Sequence, residues 1–411
     1  MQNPQATRSR PLIGWTLVWL QAMVASASAA QTPWPTNGWP MSSPELRGLA
    51  PETFASLTAR IRTGEFGYVD RLLVVHDGWL IVNERFANNY RAISRGARSP
   101  LGCGVDACTG PADSHQYNYL HPDWHPFYQG HEIHTLQSVT KSVASALIGV
   151  AIHRGEIPGV EAPVLSFLGD YDVSRADRRL RRATLADLLT MRSGIEWHEA
   201  DRPLDETNTT VQLERSPDWI RFTLAQPVNA EPGTRWVYNS GGTQLLSEII
   251  RKATGRHADE YADLYLFRPL GIRDWHWKKT PTDHPDTQSG LYLDAEQLAK
   301  IGWLYLNDGV WDGVRILPEA WVRESTARQV DQAGAGRMGY GYQWWRVDWQ
   351  ETEMWASFGF GGQLMLVVPA HRTLAVVNGW NVFGNRAPPI LDALIAALLA
   401  PLLDRERRDT Q

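Results

Sequence analysis

The hydrophobic pattern opens with an amphipathic helix and a hairpin. Between residues 50 and 63, apolar side chains recur at helical spacing and share one face. Two apolar runs follow, at 72–76 and 79–82, and Asp77-Gly78 joins them. Asp-Gly between two apolar runs is a strong signal for a two-residue turn. The pattern therefore predicts one helix followed by two antiparallel strands.

The middle of the chain is predicted to be mainly helical. Residues 143–151 are apolar on nearly every side, which is typical of a helix buried inside a domain. Residues 184–187 resemble a capping box at a helix start, and a helix over 243–252 is expected to end at Gly255. The stretch 87–130 has weak periodicity and many Gly, Pro and His residues, so we expect a long loop there.

Strand patterns return near the C-terminus. Residues 340–345, 363–368 and 373–378 each suit a strand, and 388–403 suit a final apolar helix. Strands thus occur at both ends of the chain, with a helical block between them. We predict an α+β fold in which one antiparallel sheet, built from both termini, is flanked by helices.

The predicted domain organisation follows from this arrangement. The 411 residues exceed what one small core needs. We expect one large domain over 31–411. Within it, 31–155 and 336–411 form an α/β lobe, and 156–335 form a mainly helical lobe.

The N-terminus has the features of an export signal. Arg8 and Arg10 precede an apolar stretch at 12–24, and small residues fill 25–30. This order predicts a Sec-type signal peptide over 1–30 and a periplasmic or secreted protein without stable membrane insertion after cleavage. The alternative is a retained anchor, although the apolar stretch is short for a membrane span.

Composition and charge exclude some functions. The apolar fraction of 43% and charged fraction of 21% are ordinary for a globular protein, which argues against disorder. The formal net charge is −5, and the main basic cluster is confined to 178–182. Nucleic acid is therefore not an expected partner.

The two cysteines, Cys103 and Cys108, lie in a Gly-rich segment. In an oxidising compartment they could close a small disulfide loop. Four histidines follow nearby, at His121, His125, His131 and His134. Their spacing matches no zinc motif, so neither a metal nor another cofactor is predicted.

The clearest chemical signal is Ser138-Val139-Thr140-Lys141. Residues at i and i+3 of a helix share a face, which brings the Ser138 hydroxyl beside the Lys141 amine. A serine needs a base to become a nucleophile, and burial can lower a lysine pKa enough for that role. The chain uses 35 Arg and only five Lys, and this is its only Ser-x-x-Lys. The alternative is a helix-edge lysine that reaches solvent.

Two further motifs offer partners for this pair. Tyr238 stands in Trp-Val-Tyr-Asn-Ser-Gly-Gly, and a phenol near an ammonium could ionise and shuttle a proton. Residues 357–363 place glycines before an apolar strand, where a backbone N–H could share an oxyanion with the N–H of Ser138. The alternatives are a tyrosine packed in the core and a flexible hairpin turn.

Together the three motifs, in this order and spacing, resemble the β-lactamase-related serine hydrolases. That family includes class C β-lactamases, D-alanyl-D-alanine carboxypeptidases, family VIII esterases and 6-aminohexanoate-dimer hydrolases. The resemblance implies a β-lactamase/penicillin-binding-protein-like fold. It also implies that Ser138 attacks a carbonyl, that Lys141 and Tyr238 move the proton, and that the backbone N–H groups of Ser138 and Phe360 bind the oxyanion.

The sequence departs from the family pattern at two positions. Ser240 stands where an amide side chain is usual, and Ser357 replaces the cation of the third motif. With Gly359, these residues are the predicted substrate-binding positions. The missing cation favours an esterase or amidase over a penicillin-hydrolysing enzyme. Trp344-Trp345 and Trp355 suggest an aromatic wall for an apolar group.

The leading hypothesis is therefore a serine hydrolase that cleaves a small-molecule ester or amide through an acyl-enzyme on Ser138. One alternative is a cell-wall D,D-peptidase or weak β-lactamase. Another is a binding protein that keeps the fold without chemistry. The sequence gives no signal for the natural substrate or for self-association.

Overall fold

The structure is a computed structural model. It describes residues 34–95, 121, 123, 125–173, 177–331, 333, 338–382 and 387–409, with the backbone alone for 401–409. The predicted signal peptide over 1–30 lies outside the described residues, as do Cys103 and Cys108, so these remain predictions. No helix in the described ranges is long and apolar enough to cross a membrane.

Eleven α-helices are assigned within the described ranges. They are α1 (Pro51–Arg62), α2 (Tyr90–Ser94), α3 (Thr140–His153), α4 (Leu185–Leu189), α5 (Thr209–Arg215), α6 (Trp219–Leu224), α7 (Ser240–Thr254), α8 (Ala258–Ala262), α9 (Ala295–Leu306), α10 (Glu319–Thr326) and α11 (Leu391–Asp409). The capping box at Thr184 and Asp187 starts α4. Gly255, in the left-handed conformation, ends α7.

The strands assigned in the same ranges are mostly in one sheet. They are β1 (Val69–His76), β2 (Trp79–Arg85), β3 (His134–Thr135), β4 (Trp275–Trp277), β5 (Leu291–Leu293), β6 (Val310–Trp311), β7 (Val314–Arg315), β8 (Met338–Tyr340), β9 (Trp345–Trp349), β10 (Thr352–Gly359), β11 (Gln363–Val368) and β12 (Thr373–Gly379). The large sheet has the order β2-β1-β12-β11-β10-β9-β8, with every pair antiparallel.

The sheet confirms the prediction that both ends of the chain build it. The hairpin β1-β2 pairs with β12, the last strand along the chain. Antiparallel pairing satisfies the backbone groups of β1 on both sides, so this strand can be fully buried. The boundaries predicted for the two lobes remain a prediction.

Helices cover both faces of this sheet. Alternate side chains of β1 point to opposite faces, so Leu73 and Val75 join one core cluster while Leu72 and Val74 join the other. Helices α1 and α11 pack on the second face, and α9 packs on the first. The central strands therefore need apolar residues on both sides, which explains their continuous hydrophobic runs.

The buried helix α3 lies in the larger core, as its all-round apolar pattern predicted. Every residue of α3 from Thr140 to Ala151 is buried. Gly149 allows the close approach of Trp321, whose ring lies 2.6 Å from where a Cβ would stand. A helix held on all sides in this way is a rigid platform for the residues at its N-terminus.

One strand prediction is wrong in its bounds. Residues 340–345 were predicted as a single strand, but β8 ends at Tyr340 and β9 begins at Trp345. The chain turns between them, where Gln343 has a φ of +62°. At Gly341 a Cβ would meet the carbonyl oxygen of Ser325 at 2.1 Å. The turn thus depends on backbone conformations that an apolar alternation does not reveal.

Candidate active site

Ser138 lies in a tight turn that enters α3. A 3₁₀ turn over Gln137–Val139 precedes the helix. Gln137 has a φ of +48°, in the left-handed region that side chains other than glycine adopt at an energetic cost. Its Nε2 donates a hydrogen bond to Thr135 Oγ1 at 2.8 Å, which helps to hold the turn. The strained turn presents Ser138 to a cavity rather than to the core.

Lys141 lies beside this serine, one helical turn further on. Its Nζ donates to Ser138 Oγ at 3.1 Å and to the carbonyl oxygen of Gln288 at 2.8 Å. The side chain is 1% exposed, so the amine does not reach solvent. The alternative, in which Lys141 lies at a helix edge and its ammonium reaches solvent, is therefore wrong.

The electrostatics at Lys141 favour a base. Burial lowers the pKa of its amine to about 8, because a charged group loses hydration in the interior. The carboxylates of Glu199, Asp286 and Glu214 oppose this effect and favour the charged form. A substantial neutral fraction near pH 8 is what a general base for a serine requires.

A tight loop over residues 286–290 orients the backbone carbonyl of Gln288 toward Lys141. The Asp286 carboxylate accepts hydrogen bonds from the backbone N–H groups of Gln288 and Ser289, at 3.0 and 2.9 Å. At Gly290 a Cβ would stand 2.6 Å from Asp286 Cβ, so only glycine fits the turn. Gln244 Oε1 on α7 accepts from the backbone N–H of Thr287 at 3.0 Å. The loop is thereby fixed to α7.

Tyr238 completes the group. Lys141 Nζ lies 5.3 Å from the centre of its ring, and Ser138 lies near enough to the Tyr238 hydroxyl to affect the pKa of the phenol. The ring also stacks against Trp345, with centroids 6.0 Å apart. Burial, and then the charge of Glu199, raise the pKa of the phenol above its usual value. The hypothesis that Tyr238 ionises easily is therefore wrong, and it acts at neutral pH as an uncharged hydroxyl.

The end of β10 packs directly on the serine turn. At Gly359 a Cβ would lie 2.3 Å from the carbonyl oxygen of Leu136 and 3.1 Å from Gln137 Cβ. Only glycine allows the strand to approach the backbone so closely. This contact brings Gly359 and Phe360 to the cavity that Ser138 faces.

Ser357 lies two residues before Gly359, on the same face of β10. Its Oγ is 2.5 Å from Ser142 Oγ, and Ser142 Oγ donates to the carbonyl oxygen of Gln343 at 2.6 Å. Because the Ser142 proton is used in that bond, Ser357 is the donor to Ser142. Its side chain is buried and does not line the cavity, so the structure does not bring the predicted Ser357 hydroxyl to a substrate.

Ser240 is also turned away from the cavity. The side chain is fully buried at the N-terminus of α7. Its Oγ donates to Glu199 Oε1 at 2.8 Å, and its backbone N–H donates to Glu199 Oε2 at 3.0 Å. Trp197 Nε1 donates to the same Oε2 at 2.9 Å. Ser240 thus holds a carboxylate in place instead of facing a substrate.

The cavity in front of Ser138 has a volume of about 340 Å³. Its wall is formed by Gln137, Ser138, Glu199, Ala200, Leu204, Thr210, Val211, Glu214, Tyr238, Gln288, Ser289, Trp345, Phe358, Gly359 and Phe360. Ser138 and Phe360, whose N–H groups are the predicted oxyanion donors, both belong to it. Of the three tryptophans suggested for the wall, Trp345 lines it, whereas Trp344 is buried and Trp355 borders a separate surface cleft.

Several polar members of this wall were not found by sequence reasoning, among them two glutamates and a glutamine. Glu199, Glu214 and Gln288 come from loops and a helix far from the serine motif along the chain. Gln288 Nε2 donates to Glu214 Oε1 at 3.0 Å, which joins two of them. No local spacing rule connects such residues to Ser138, because tertiary packing alone brings them together.

The histidines considered for zinc lie elsewhere. His134 Nε2 is 3.0 Å from Asp70 Oδ2, and the His125 ring stacks on Tyr128. No group of three or more His, Cys, Asp or Glu residues suited to a metal is found in the described ranges. None of these histidines belongs to the wall of the cavity at Ser138.

Comparison with known sequences identifies the family. The family described as Beta-lactamase matches residues 70–400 of this chain. One relative is a 6-aminohexanoate-dimer hydrolase from Paenarthrobacter ureafaciens, 25% identical over 267 residues. That alignment covers 60% of this chain and 66% of the relative, which is just under two thirds of its length.

Solved structures agree at the level of the fold. A penicillin-binding protein homologue from Pyrococcus abyssi has a TM-score of 0.60 at 17% identity, covering 85% of this chain and 77% of that chain. A family VIII carboxylesterase has a TM-score of 0.59 at 17% identity, covering 88% of this chain and 98% of that chain. The match over residues 70–400 and the shared fold lead to one conclusion: this chain belongs to the β-lactamase-related serine hydrolase family.

Proposed function

We propose that this protein hydrolyses small ester or amide substrates through a covalent acyl-enzyme on Ser138. The observation that carries the proposal is the buried amine of Lys141, 3.1 Å from Ser138 Oγ and with a lowered pKa. A serine with an adjacent base of suitable pKa is the arrangement that nucleophilic catalysis requires.

In the first step, neutral Lys141 accepts the proton of Ser138 as Oγ bonds to the substrate carbonyl carbon. The carbonyl π electrons move to oxygen, and the N–H groups of Ser138 and Phe360 are suited to stabilise that negative charge. When the tetrahedral intermediate collapses, the bond to the leaving group breaks. The proton held by Lys141 then passes to the leaving alcohol or amine, with the uncharged Tyr238 hydroxyl able to relay it.

In the second step, water replaces the leaving group. Lys141, neutral again, accepts a proton from the water as its oxygen bonds to the acyl carbon. The ester bond to Ser138 Oγ then breaks, and the proton returns to Oγ. The acid product leaves, and the serine and the amine regain their starting states.

An ester or amide substrate is favoured over a β-lactam or a D,D-peptide by the character of the wall. Those alternatives carry a carboxylate, and no Arg, Lys or His is among the residues that line the cavity in the described part of the chain. The relatives include a 6-aminohexanoate-dimer hydrolase and a carboxylesterase, by their descriptions an amide- and an ester-cleaving enzyme.

The test is labelling and turnover. A fluorophosphonate probe should add once to the protein, and peptide mapping should place the adduct on Ser138. Short p-nitrophenyl esters should be turned over, and Ser138→Ala should lose both properties while remaining folded. A folded protein that no acylating probe labels would contradict the proposal and favour the silent binding protein. Trapping by a fluorescent penicillin without ester turnover would favour the D,D-peptidase alternative.

We also infer export to the periplasm or outside the cell from the predicted signal peptide over 1–30. Signal-peptide cleavage should leave an N-terminus close to residue 31, which N-terminal sequencing of the exported protein can check. Recovery of the uncleaved chain in the membrane fraction would instead support a retained anchor.

A further inference from the structure

The turn between β8 and β9 carries a buried glutamine. Gln343 is 2% exposed and has a φ of +62°, a left-handed conformation that is costly for a residue other than glycine. It is not among the described residues that line the cavity at Ser138. Such a conformation persists only where surrounding contacts offset its cost. For Gln343 these contacts come from three other segments of the chain.

The first contacts hold the end of α4. Gln343 Nε2 donates to the carbonyl oxygens of Leu188 and Leu189, at 3.1 and 3.0 Å. The backbone N–H of Gln343 also donates to the carbonyl oxygen of Leu189, at 3.0 Å. The last carbonyl groups of a helix lack partners further along it, and the glutamine supplies donors to two of them. It thereby fixes the point from which the chain continues to Met191.

Met191 in turn holds both neighbours of Tyr238. Its carbonyl oxygen accepts from the backbone N–H of Val237 at 2.9 Å. Its sulfur accepts from the backbone N–H of Asn239 at 3.2 Å. Because both flanking N–H groups are bound to one residue, the position of Tyr238 follows that of Met191 and of the end of α4.

The remaining contacts reach α3 and α7. The carbonyl oxygen of Gln343 accepts from Ser142 Oγ at 2.6 Å, and Ser142 directly follows Lys141 on α3. Its side-chain Oε1 accepts from Thr243 Oγ1 on α7 at 2.9 Å. Ser357 of β10 joins the group through its bond to Ser142. A side-chain amide offers both the donor hydrogens and the acceptor oxygen that this set of partners uses.

We propose that Gln343 is a positioning residue, which holds Lys141 and Tyr238 at the separation that proton transfer at Ser138 requires. The proposal rests on the hydrolase function proposed above and adds a residue outside the cavity to the same site. Its basis is that Gln343 bonds to the segments that carry both groups. Displacement of a reacting group by about 1 Å can lower a rate about a hundredfold.

The experiment measures hydrolysis of a short p-nitrophenyl ester by Gln343→Met from pH 6 to 10. Methionine keeps the side-chain length but removes its hydrogen bonds, so the left-handed turn loses contacts that offset its cost and can relax. Because Lys141 is the proposed base in both steps, kcat should fall at least about tenfold, with a smaller change in KM.

The pH profile gives a second readout for the same variant. Without the amide, the buried hydroxyl of Thr243 loses its acceptor, and water that enters to replace it weakens the burial of Lys141. Burial is the main cause of the lowered lysine pKa. The rise of kcat/KM with pH should therefore move to higher pH in Gln343→Met.

A second set of variants tests one contact alone. Thr243→Val removes the hydroxyl that donates to Gln343 and should lower kcat severalfold, whereas Thr243→Ser keeps the donor and should recover most of that loss. Tyr261→Phe is the matched control, because it also removes one buried hydroxyl, which donates to Glu156, and Tyr261 does not line the cavity. Its kcat and pH profile should equal those of the wild type, even if urea unfolding shows an equal loss of stability.

The outcomes separate the two proposals. A folded Gln343→Met with the kcat and pH profile of the wild type would overturn the positioning role and leave the hydrolase intact. If Gln343→Met does not fold, the Thr243 variants decide. Equal kcat in Thr243→Val and Thr243→Ser, or an equal loss of kcat in Tyr261→Phe, would then overturn the role of Gln343. A wild type that neither turns over esters nor is labelled at Ser138 would instead reject the hydrolase function, and the positioning role with it.

Discussion

Replacement of Lys141 by methionine tests the central electrostatic claim without any substrate. Methionine has nearly the shape of lysine but cannot carry a proton. If the amine of Lys141 truly has a lowered pKa in the folded protein, the two proteins must differ in how their stability responds to pH. This response can be measured even if the natural substrate is never found.

The magnitude follows from the pKa. The lysine pKa falls from 10.5 to about 8 on folding, and each pKa unit corresponds to about 1.4 kcal/mol. Folding therefore disfavours the charged lysine by about 3 kcal/mol. Because the side chain is 1% exposed, solvent screening reduces this figure little.

The sign of the pH dependence follows from how many protons the folded and unfolded states bind. Between pH 8 and 10.5 the unfolded chain holds the Lys141 proton and the folded protein has released it. The free energy of unfolding of the wild type should therefore rise by about 1.4 kcal/mol per pH unit relative to Lys141→Met. Below pH 8 the lysine is charged in both states, so the difference between the two proteins should be constant there. Lost hydrogen bonds to Ser138 and Gln288 change the size of that constant difference.

The assay is reversible urea unfolding at pH 7, 8, 9 and 10. Lys279→Met is the matched control, because ion pairs with Asp259 and Asp283 raise the pKa of that lysine. The difference in the free energy of unfolding between Lys279→Met and the wild type should stay constant from pH 7 to 10. If the free energy of unfolding of Lys141→Met also stays parallel to that of the wild type from pH 7 to 10, the pKa of the Lys141 amine is not lowered. The amine then cannot be the base.

Two further predictions concern activity. For a neutral ester, kcat/KM should rise about tenfold per pH unit below pH 8 and level off above it, because the base must be neutral. Glu199→Gln should shift this rise to lower pH, and the control Glu206→Gln, which replaces an exposed residue that does not line the cavity, should leave it in place. A pH profile that Glu199→Gln does not shift would contradict the effect of Glu199 on the pKa of Lys141. Gly359→Ala should lower kcat/KM at least about tenfold, since its Cβ would meet the Leu136 carbonyl oxygen at 2.3 Å. The control Gly169→Ala should have no effect, because nothing lies within 4 Å of the new Cβ. Equal activity of the two variants would contradict the role of the contact between Gly359 and Leu136.

Local patterns predicted much of the fold and the core of the site. The hairpin at Asp77-Gly78 and the buried helix α3 could be found because turn chemistry and periodicity act over a few residues. The contact between Ser138 and Lys141 follows from helical spacing for the same reason. Burial of the helix could be inferred from its apolar pattern, and burial is what lowers the lysine pKa.

The rest depended on which way a side chain faces. In β10, Ser357 and Gly359 share one face, yet only Gly359 lines the cavity, because the Ser357 side chain is buried against Ser142 of α3. Ser240 follows a motif tyrosine but points to Glu199, a partner that no spacing rule supplies. Such residues are placed by the register of a sheet and by loop packing, which the sequence does not state locally.

The carboxylates near Ser138 connect substrate choice with activation of the base. Glu199 and Glu214 hold the pKa of Lys141 higher than burial alone would, so in the empty site they work against the neutral amine. A cation bound beside them would counter that effect and favour neutral Lys141. A substrate carboxylate in the same place would add to it and keep the lysine charged. The charge beside Ser138 would therefore act twice, on the charge of the group that binds there and on the protonation state of the proposed base.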